Sequence, residues 1–208
     1  MKLKLYYGAG SCSMSCKIAI DEAKLAHEAV LVDFEAPGAL TAEVAALNPL
    51  GALPIMTSDG KTMTQNIAIL EYIADNAPGS NLLPAVGTWE RAEVMRWLSF
   101  TASDLHKSFS PLFGMNSIAT SPGAKTDLRN WAVSSIDELF TIAEKQLTGR
   151  DYLTGKNFTI ADAYFFVVTG WTKWVDISIA KYPNLSAFQT RVAHRPVVAK
   201  ILKDNGMA

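Results

Sequence analysis

The chain has 208 residues, with 19 Lys and Arg against 20 Asp and Glu, for a net charge of −1. Apolar residues make up 49% and charged residues 19%, which excludes a disordered chain and leaves enough apolar surface for a real core. The near-neutral balance lacks the basic footprint of a nucleic-acid binder, and the densest apolar run, near 161–170, is far short of the ~20 residues a bilayer crossing needs.

Residues 2–7 alternate, with Leu3, Leu5 and Tyr7 on one face, and read as a strand. The charged, alternating start has no apolar core of a secretory signal. Ser11 and Ser13 are helix-capping types, and Met14, Ile18 and Leu25 then share a stripe, so 13–25 is predicted as an amphipathic helix. The β-branched, apolar run 29–34 is a second strand; a helix between two strands makes them parallel. Pro37-Gly38 breaks the chain, and 41–47 is a short helix stopped by Asn48-Pro49. Residues 53–57 and 62–64, joined through Asp59-Gly60, predict an antiparallel hairpin. Ile67, Leu70, Ile73 and Ala74 recur at helical spacing. The order βαβ then ββα is satisfied by one mixed four-stranded sheet with helices on both faces, a thioredoxin-like arrangement.

The stretch 77–81 is the strongest linker signal, and the chain beyond it is helical. The expected division is residues 1–77, a linker at 78–87, and an all-helical part from 88 to 208. Val94, Trp97, Leu98, Thr101, Ala102, Leu105 and Phe109 mark one long helix; Ala132, Ile136, Phe140, Ala143 and Leu147 mark a second, ended by Gly149. Thr159 and Asp162 form a capping box ahead of a helix that is apolar nearly all round and therefore central. Two short helices follow, split at Arg195-Pro196.

Cys12 follows the turn Gly8-Ala9-Gly10-Ser11 and opens a helix. A helix N-terminus stabilises a thiolate, either its own or a ligand's, although a free cysteine is also often a small buried hydrophobe. Cys16, one turn on, reads as core. With C-x3-C spacing and no nearby histidine, neither a dithiol redox centre nor a zinc site is expected. Two cysteines also build no disulfide framework, which points to a reducing, cytoplasmic setting. Leu53-Pro54 opens a strand; were the bond cis, the Leu53 backbone would be free to pair with an extended ligand. Gln65-Asn66 sits at a helix start, as a cap or as a carboxylate site. His106 has Lys107 beside it, and Ser99, seven residues earlier, is expected on the same face. The aromatics of 164–174 read as core, with Trp171 and Phe113 candidates to line a cleft. No dinucleotide, Walker, zinc-hydrolase or nucleophile-elbow motif is present.

Taken in order, these segments resemble the cytosolic glutathione S-transferases over essentially the whole chain, and within them the bacterial beta class. Gly10-Ser11-Cys12-Ser13 resembles the glycine–small–Cys–Ser turn. Residues 48–54, NPLGALP, resemble N-P-x-G-x-V/L-P, whose last proline is cis; 63–69 resemble the segment holding the γ-glutamyl end. Residues 105–113 resemble L-H-K-x-F-x-P-L-F, and 158–162 the capping-box helix start. The position after Gln65, usually Ser or Gly, is Asn66; Ser99 stands where Asn is common; and the loop 35–38 lacks a lysine that many members carry.

The resemblance implies an enzyme that uses glutathione as co-substrate, with no metal and no nucleotide, and transfers its thiol to an electrophilic, mostly apolar substrate. Cys12 and His106 would meet the glutathione sulfur. Ser11, Leu53 and Pro54 would frame it, with the Leu53 backbone pairing to the cysteinyl part. Gln65 and Asn66 would hold the γ-glutamyl end and Lys107 the glycyl carboxylate. Ser99 and Asp104 would reach a neighbouring chain's glutathione in a homodimer. Tyr7, Phe109, Phe113 and Trp171 would wall the second-substrate site. Two other readings stay open: a non-catalytic scaffold or regulatory protein on the same fold, and a glutathione-dependent thiol reductase or peroxidase acting through Cys12.

Overall fold

The structure is a computed structural model that describes residues 2–33 and 42–207. The end of the second predicted strand at Phe34, the Pro37-Gly38 break, the loop 35–38 and the predicted helix start at Thr41 lie outside the described residues.

The first elements are β1 (Leu3–Tyr7), α1 (Met14–Glu22), β2 (His27–Leu31), α2 (Ala42–Leu47), β3 (Ile55–Ser58), β4 (Lys61–Thr64) and α3 (Asn66–Asp75). The four strands form one sheet in the order β2-β1-β3-β4. β1 pairs parallel with β2 and antiparallel with β3, and β3 pairs antiparallel with β4. Ser58 faces Lys61 across a two-residue turn in which Asp59 (φ 49°) and Gly60 (φ 79°) both take positive φ, the turn whose twist matches the strands. Period-2 alternation divides the sheet between its two faces. Leu3, Leu5, Tyr7 and Met56 join α1 and α3 in the main core, while Tyr6 and Ile55 join Val44 of α2 and Leu53 on the other side.

α1 is shorter than predicted. Lys24 takes φ 54°, Lys24 N–H reaches Asp21 O at 3.0 Å and Leu25 N–H reaches Ile20 O at 3.2 Å, a left-handed closure that ends the helix before Leu25. β2 begins two residues earlier than its apolar run because pairing to β1, not hydrophobicity, defines this edge strand; its exposed side chains carry little pattern.

The rest is helical: α4 (Trp89–Ser99), α5 (His106–Phe113), α6 (Met115–Ile118), α7 (Pro122–Leu147), α8 (Ile160–Gly170), α9 (Pro183–Ala193) and α10 (Pro196–Asp204). The single long helix predicted through 94–109 is instead α4 and α5 joined by a π-helical stretch, Phe100–Leu105. The predicted apolar stripe is nevertheless buried at Val94, Trp97, Leu98, Leu105 and Phe109. α8 is buried at every residue from Ile160 to Thr169 and packs on α1, α4 and α9. Its capping box is formed: Asp162 accepts the Thr159 N–H at 2.8 Å and hydroxyl at 2.7 Å, and also the Leu153 N–H at 2.8 Å. One apolar cluster runs from the sheet through α1 and α3 into α8 and α9. Among the described residues, no helix is long and apolar enough to cross a membrane.

Candidate functional site

The loop after β1 is tied to itself. Gly8 N–H donates to Ser13 Oγ at 2.9 Å, Ser11 Oγ donates to Gly8 O at 3.1 Å, and the two serine hydroxyls touch. Of the two predicted capping serines, Ser13 turns its side chain back to Gly8 and bonds no first-turn N–H of α1, whereas Ser11 Oγ accepts the Ser13 N–H at 3.3 Å. Gly10 takes φ 67°, where a side chain is strained, and a Cβ there would lie 2.1 Å from Cη2 of Trp174, so any larger residue would have to displace that ring. Trp171 fixes the same residue, its Nε1–H donating to Gly10 O at 2.7 Å.

This loop presents Cys12, half-buried just ahead of α1. Its Sγ–H points at Leu53 O, 3.8 Å away, which brings the Cys12 side chain and the Leu53 backbone together. Leu53 itself is buried, and the Leu53–Pro54 peptide is cis. Burial pushes the Cys12 thiol up to about 11, against the N–H groups of Ser13 and Cys12, which favour a thiolate. Burial is the larger of these two effects at the Cys12 thiol itself, while the same N–H groups remain placed to favour a thiolate at the helix start, its own or a ligand's.

Gln65 precedes α3 with φ 75° and ψ 120°, its side chain exposed. Asn66 neither caps the helix nor faces outward. Its Nδ2 donates to Ser15 Oγ at 3.0 Å, Ser15 Oγ donates to Cys12 O at 2.7 Å, and Cys16 Sγ donates to Asn66 Oδ1 at 3.2 Å. A buried amide must be satisfied internally, so this side chain joins α3 to α1 and leaves backbone N–H groups at the helix start. Cys16 is fully buried, as a core residue should be.

On the helical side, His106 Nδ1 lies 2.7 Å from the Tyr164 hydroxyl, and its ring meets Trp171 edge-on with centroids 4.6 Å apart. Burial first, then the Lys107 charge, lower the imidazole to about 4. Burial raises the Tyr164 phenol, with Cys12 and Cys16 close enough to raise it further. Ser99 and His106 do not share a face. Ser99 is exposed and His106 packs against Trp171, because a wider π turn advances less per residue than an α turn. Asp104 and Lys107 are exposed.

Of the expected wall, Tyr7, Phe109 and Trp171 are buried and Phe113 is half exposed. Phe109 and Phe113 lie 5.7 and 5.4 Å from Trp171, so three of the four form one aromatic group. A neighbouring cavity of ≈ 620 Å³ is bordered by Trp171, Trp174, Gly10, Met14 and Ile177. Sequence reasoning passed over Tyr164 and Trp174 as core. The available signal was a tyrosine within an otherwise apolar helix, since a buried hydroxyl needs a partner. Among the described residues, no three His, Cys, Asp or Glu side chains gather as a metal site.

Comparison with known proteins adds a second line of observation. Residues 1–75 match the N-terminal domain of glutathione S-transferase and residues 109–196 its C-terminal domain. The chain is 34% identical to the glutathione S-transferase GST-4.5 of Xanthomonas campestris pv. campestris, over 99% of this chain and all of the other. It is similar to the structure of a sphingomonad glutathione S-transferase complexed with glutathione, at 38% identity and a TM-score of 0.85, covering 99% and 100% of the two chains. It is also similar to the bacterial beta-class glutathione S-transferase of Sphingomonas chungbukensis, at 36% identity and a TM-score of 0.86, again over 99% and 100%.

Proposed function

The chain belongs to the glutathione S-transferase family, and from that premise we propose how it works: it binds glutathione beside Cys12 and delivers the bound thiolate to a small, mostly apolar electrophile. The observation that carries this reading is the meeting of Cys12 Sγ with the Leu53 carbonyl, at the edge of a loop locked by Ser11 and Ser13. An extended peptide thiol laid along Leu53 brings its sulfur to that point. The Leu53 backbone pairs with its cysteinyl part, Pro54 shapes the strand start, and Gln65 with the backbone N–H of Asn66 receives the γ-glutamyl carboxylate.

Cys12 acts as a neutral S–H donor toward the ligand sulfur and His106 approaches from the helical side. The catalytic term is electrostatic stabilisation of the glutathione thiolate plus proximity of the electrophile. The wall is the aromatic group of Phe109, Phe113 and Trp171, with Tyr7 beneath the loop. Lys107 meets the glycyl carboxylate, and Ser99 and Asp104 reach the glutathione of a second copy in a homodimer. The division at 78–87, cytoplasmic residence and a detoxifying role belong to the same proposal. A reductase or peroxidase acting through Cys12 is the second reading, and it requires the helix-start N–H groups to outweigh the burial of the thiol.

The test compares wild type with Cys12→Ala. Calorimetry should detect glutathione binding to both. Conjugation to a halo-aromatic electrophile should survive in the variant at roughly a tenth or more of wild type, within the span of one lost hydrogen bond. Absence of binding heat for wild type at millimolar glutathione overturns the function. Complete loss of turnover with binding intact makes Cys12 a nucleophile and favours the reductase reading.

A further inference from the structure

We infer that Tyr164 is a positioning residue that fixes the proton of neutral His106 on Nε2, so that the imidazole meets the glutathione sulfur as a hydrogen-bond donor and not as a base. The inference rests on the reading above, in which His106 lies at that sulfur.

The argument is one of hydrogen-bond accounting. Tyr164 is 2% exposed on a helix buried at every residue from Ile160 to Thr169, so its hydroxyl proton is to be satisfied within the protein. Among the described residues, the bond drawn to this hydroxyl is the one to His106 Nδ1, at 2.7 Å. A buried hydroxyl gives its proton to whatever acceptor it has. Tyr164 O–H therefore donates, and Nδ1 must present its lone pair. A neutral imidazole with a lone pair on Nδ1 carries its hydrogen on Nε2.

The surroundings favour the same arrangement. Trp171, edge-on to it, has its single N–H committed to Gly10 O and offers no acceptor. The charge that bears on the ring is that of Lys107, which opposes a positive charge, and burial with the nearby Cys12 and Cys16 holds the Tyr164 phenol in its protonated form. His106 follows the π-helical stretch directly, so the wider turn sets the direction in which the ring enters the aromatic group. A donor on Nε2 stabilises a thiolate by a charge-assisted bond without itself gaining charge in a half-buried site. A base there would become an imidazolium, which burial disfavours.

The decisive measurement is ¹⁵N NMR of imidazole-labelled protein near pH 7, with His106→Asn assigning the resonance among the three histidines. We expect an Nε2–H tautomer in wild type and a mixture in Tyr164→Phe. An Nδ1–H tautomer in wild type overturns the inference whatever the enzyme does. The second measurement titrates the bound glutathione thiol by its ultraviolet thiolate absorbance. Tyr164→Phe should lower the thiolate fraction at slightly acid pH about three- to tenfold, on the order of half to one pKa unit. In a His106→Asn background, where an amide donor needs no tautomer, the same change at Tyr164 should have no further effect. An equal loss in both backgrounds makes Tyr164 merely structural and overturns the inference. If the tautomer is as stated but neither variant moves the thiol titration, His106 is not at the sulfur, and the functional reading fails there separately.

Discussion

At Cys12 two effects oppose each other within one side chain: the N–H groups of Cys12 and Ser13 favour a thiolate, and burial disfavours it, with burial the larger. At His106 no effect opposes burial, since the Lys107 charge acts in the same direction, and the consequence is a pH dependence of stability. The imidazole's folded value, about 4, lies below the ordinary 6.5. Between those values the unfolded chain binds a proton that the native protein does not, so the group's contribution is present above 6.5 and is lost as pH falls toward 4. We predict that the unfolding free energy of wild type drops more steeply between about pH 7 and about pH 4.5 than that of His106→Gln, read from urea curves at both. Parallel slopes would mean that His106 titrates normally. Of these residue-scale facts, the candidacy of Cys12 and His106 was legible in their placement, whereas their ionisation was not, since it depends on what packs over them.

Among elements, α8 was the most legible. Thr159 and Asp162 stand three apart before an apolar run, and the structure adds only that Asp162 also holds the Leu153 N–H. Burial holds this carboxyl up at about 6 even so. Asp162→Ala leaves three donors unmet at the start of a central helix and should cost about 2–4 kcal/mol in a urea unfolding curve. A loss below about 1 kcal/mol would show that water replaces the carboxylate there. The α4–α5 region is the counter-example. Its apolar stripe reads as one α-helix, and nothing in the local pattern announces the π-helical stretch Phe100–Leu105. A π turn changes the phase of everything after it, which is why Ser99 and His106 part company.

At the scale of the whole molecule, the sheet and the helices share one core, and polar clamps close the seam. Arg195, just ahead of α10, makes a two-pronged bond to Glu22 at the end of α1, at 2.8 and 2.9 Å. It also donates to the Tyr152 hydroxyl at 3.0 Å and lies 4.1 Å from the Phe158 ring centroid. Arg91 of α4 likewise holds Glu71 and Asp75 of α3. Arg195→Lys keeps the charge but loses the fork and the stacking, so it should destabilise by about 1–2 kcal/mol while unfolding remains a single transition. Two separated transitions, in either protein, would contradict a shared core.

The amino-acid order by itself determined the succession of strands and helices in the sheet-bearing part, the Asp59-Gly60 hairpin, the α8 capping box and the segments that mark the family. Each of these is settled between residues a few positions apart, through period, turn and cap. Only the tertiary structure decided that Asn66 turns inward to Ser15 and Cys16, that Trp174 covers Gly10, and that His106 meets Tyr164, 58 positions away. The partner of a buried polar group is chosen by which surfaces pack together, and that choice belongs to the folded chain as a whole.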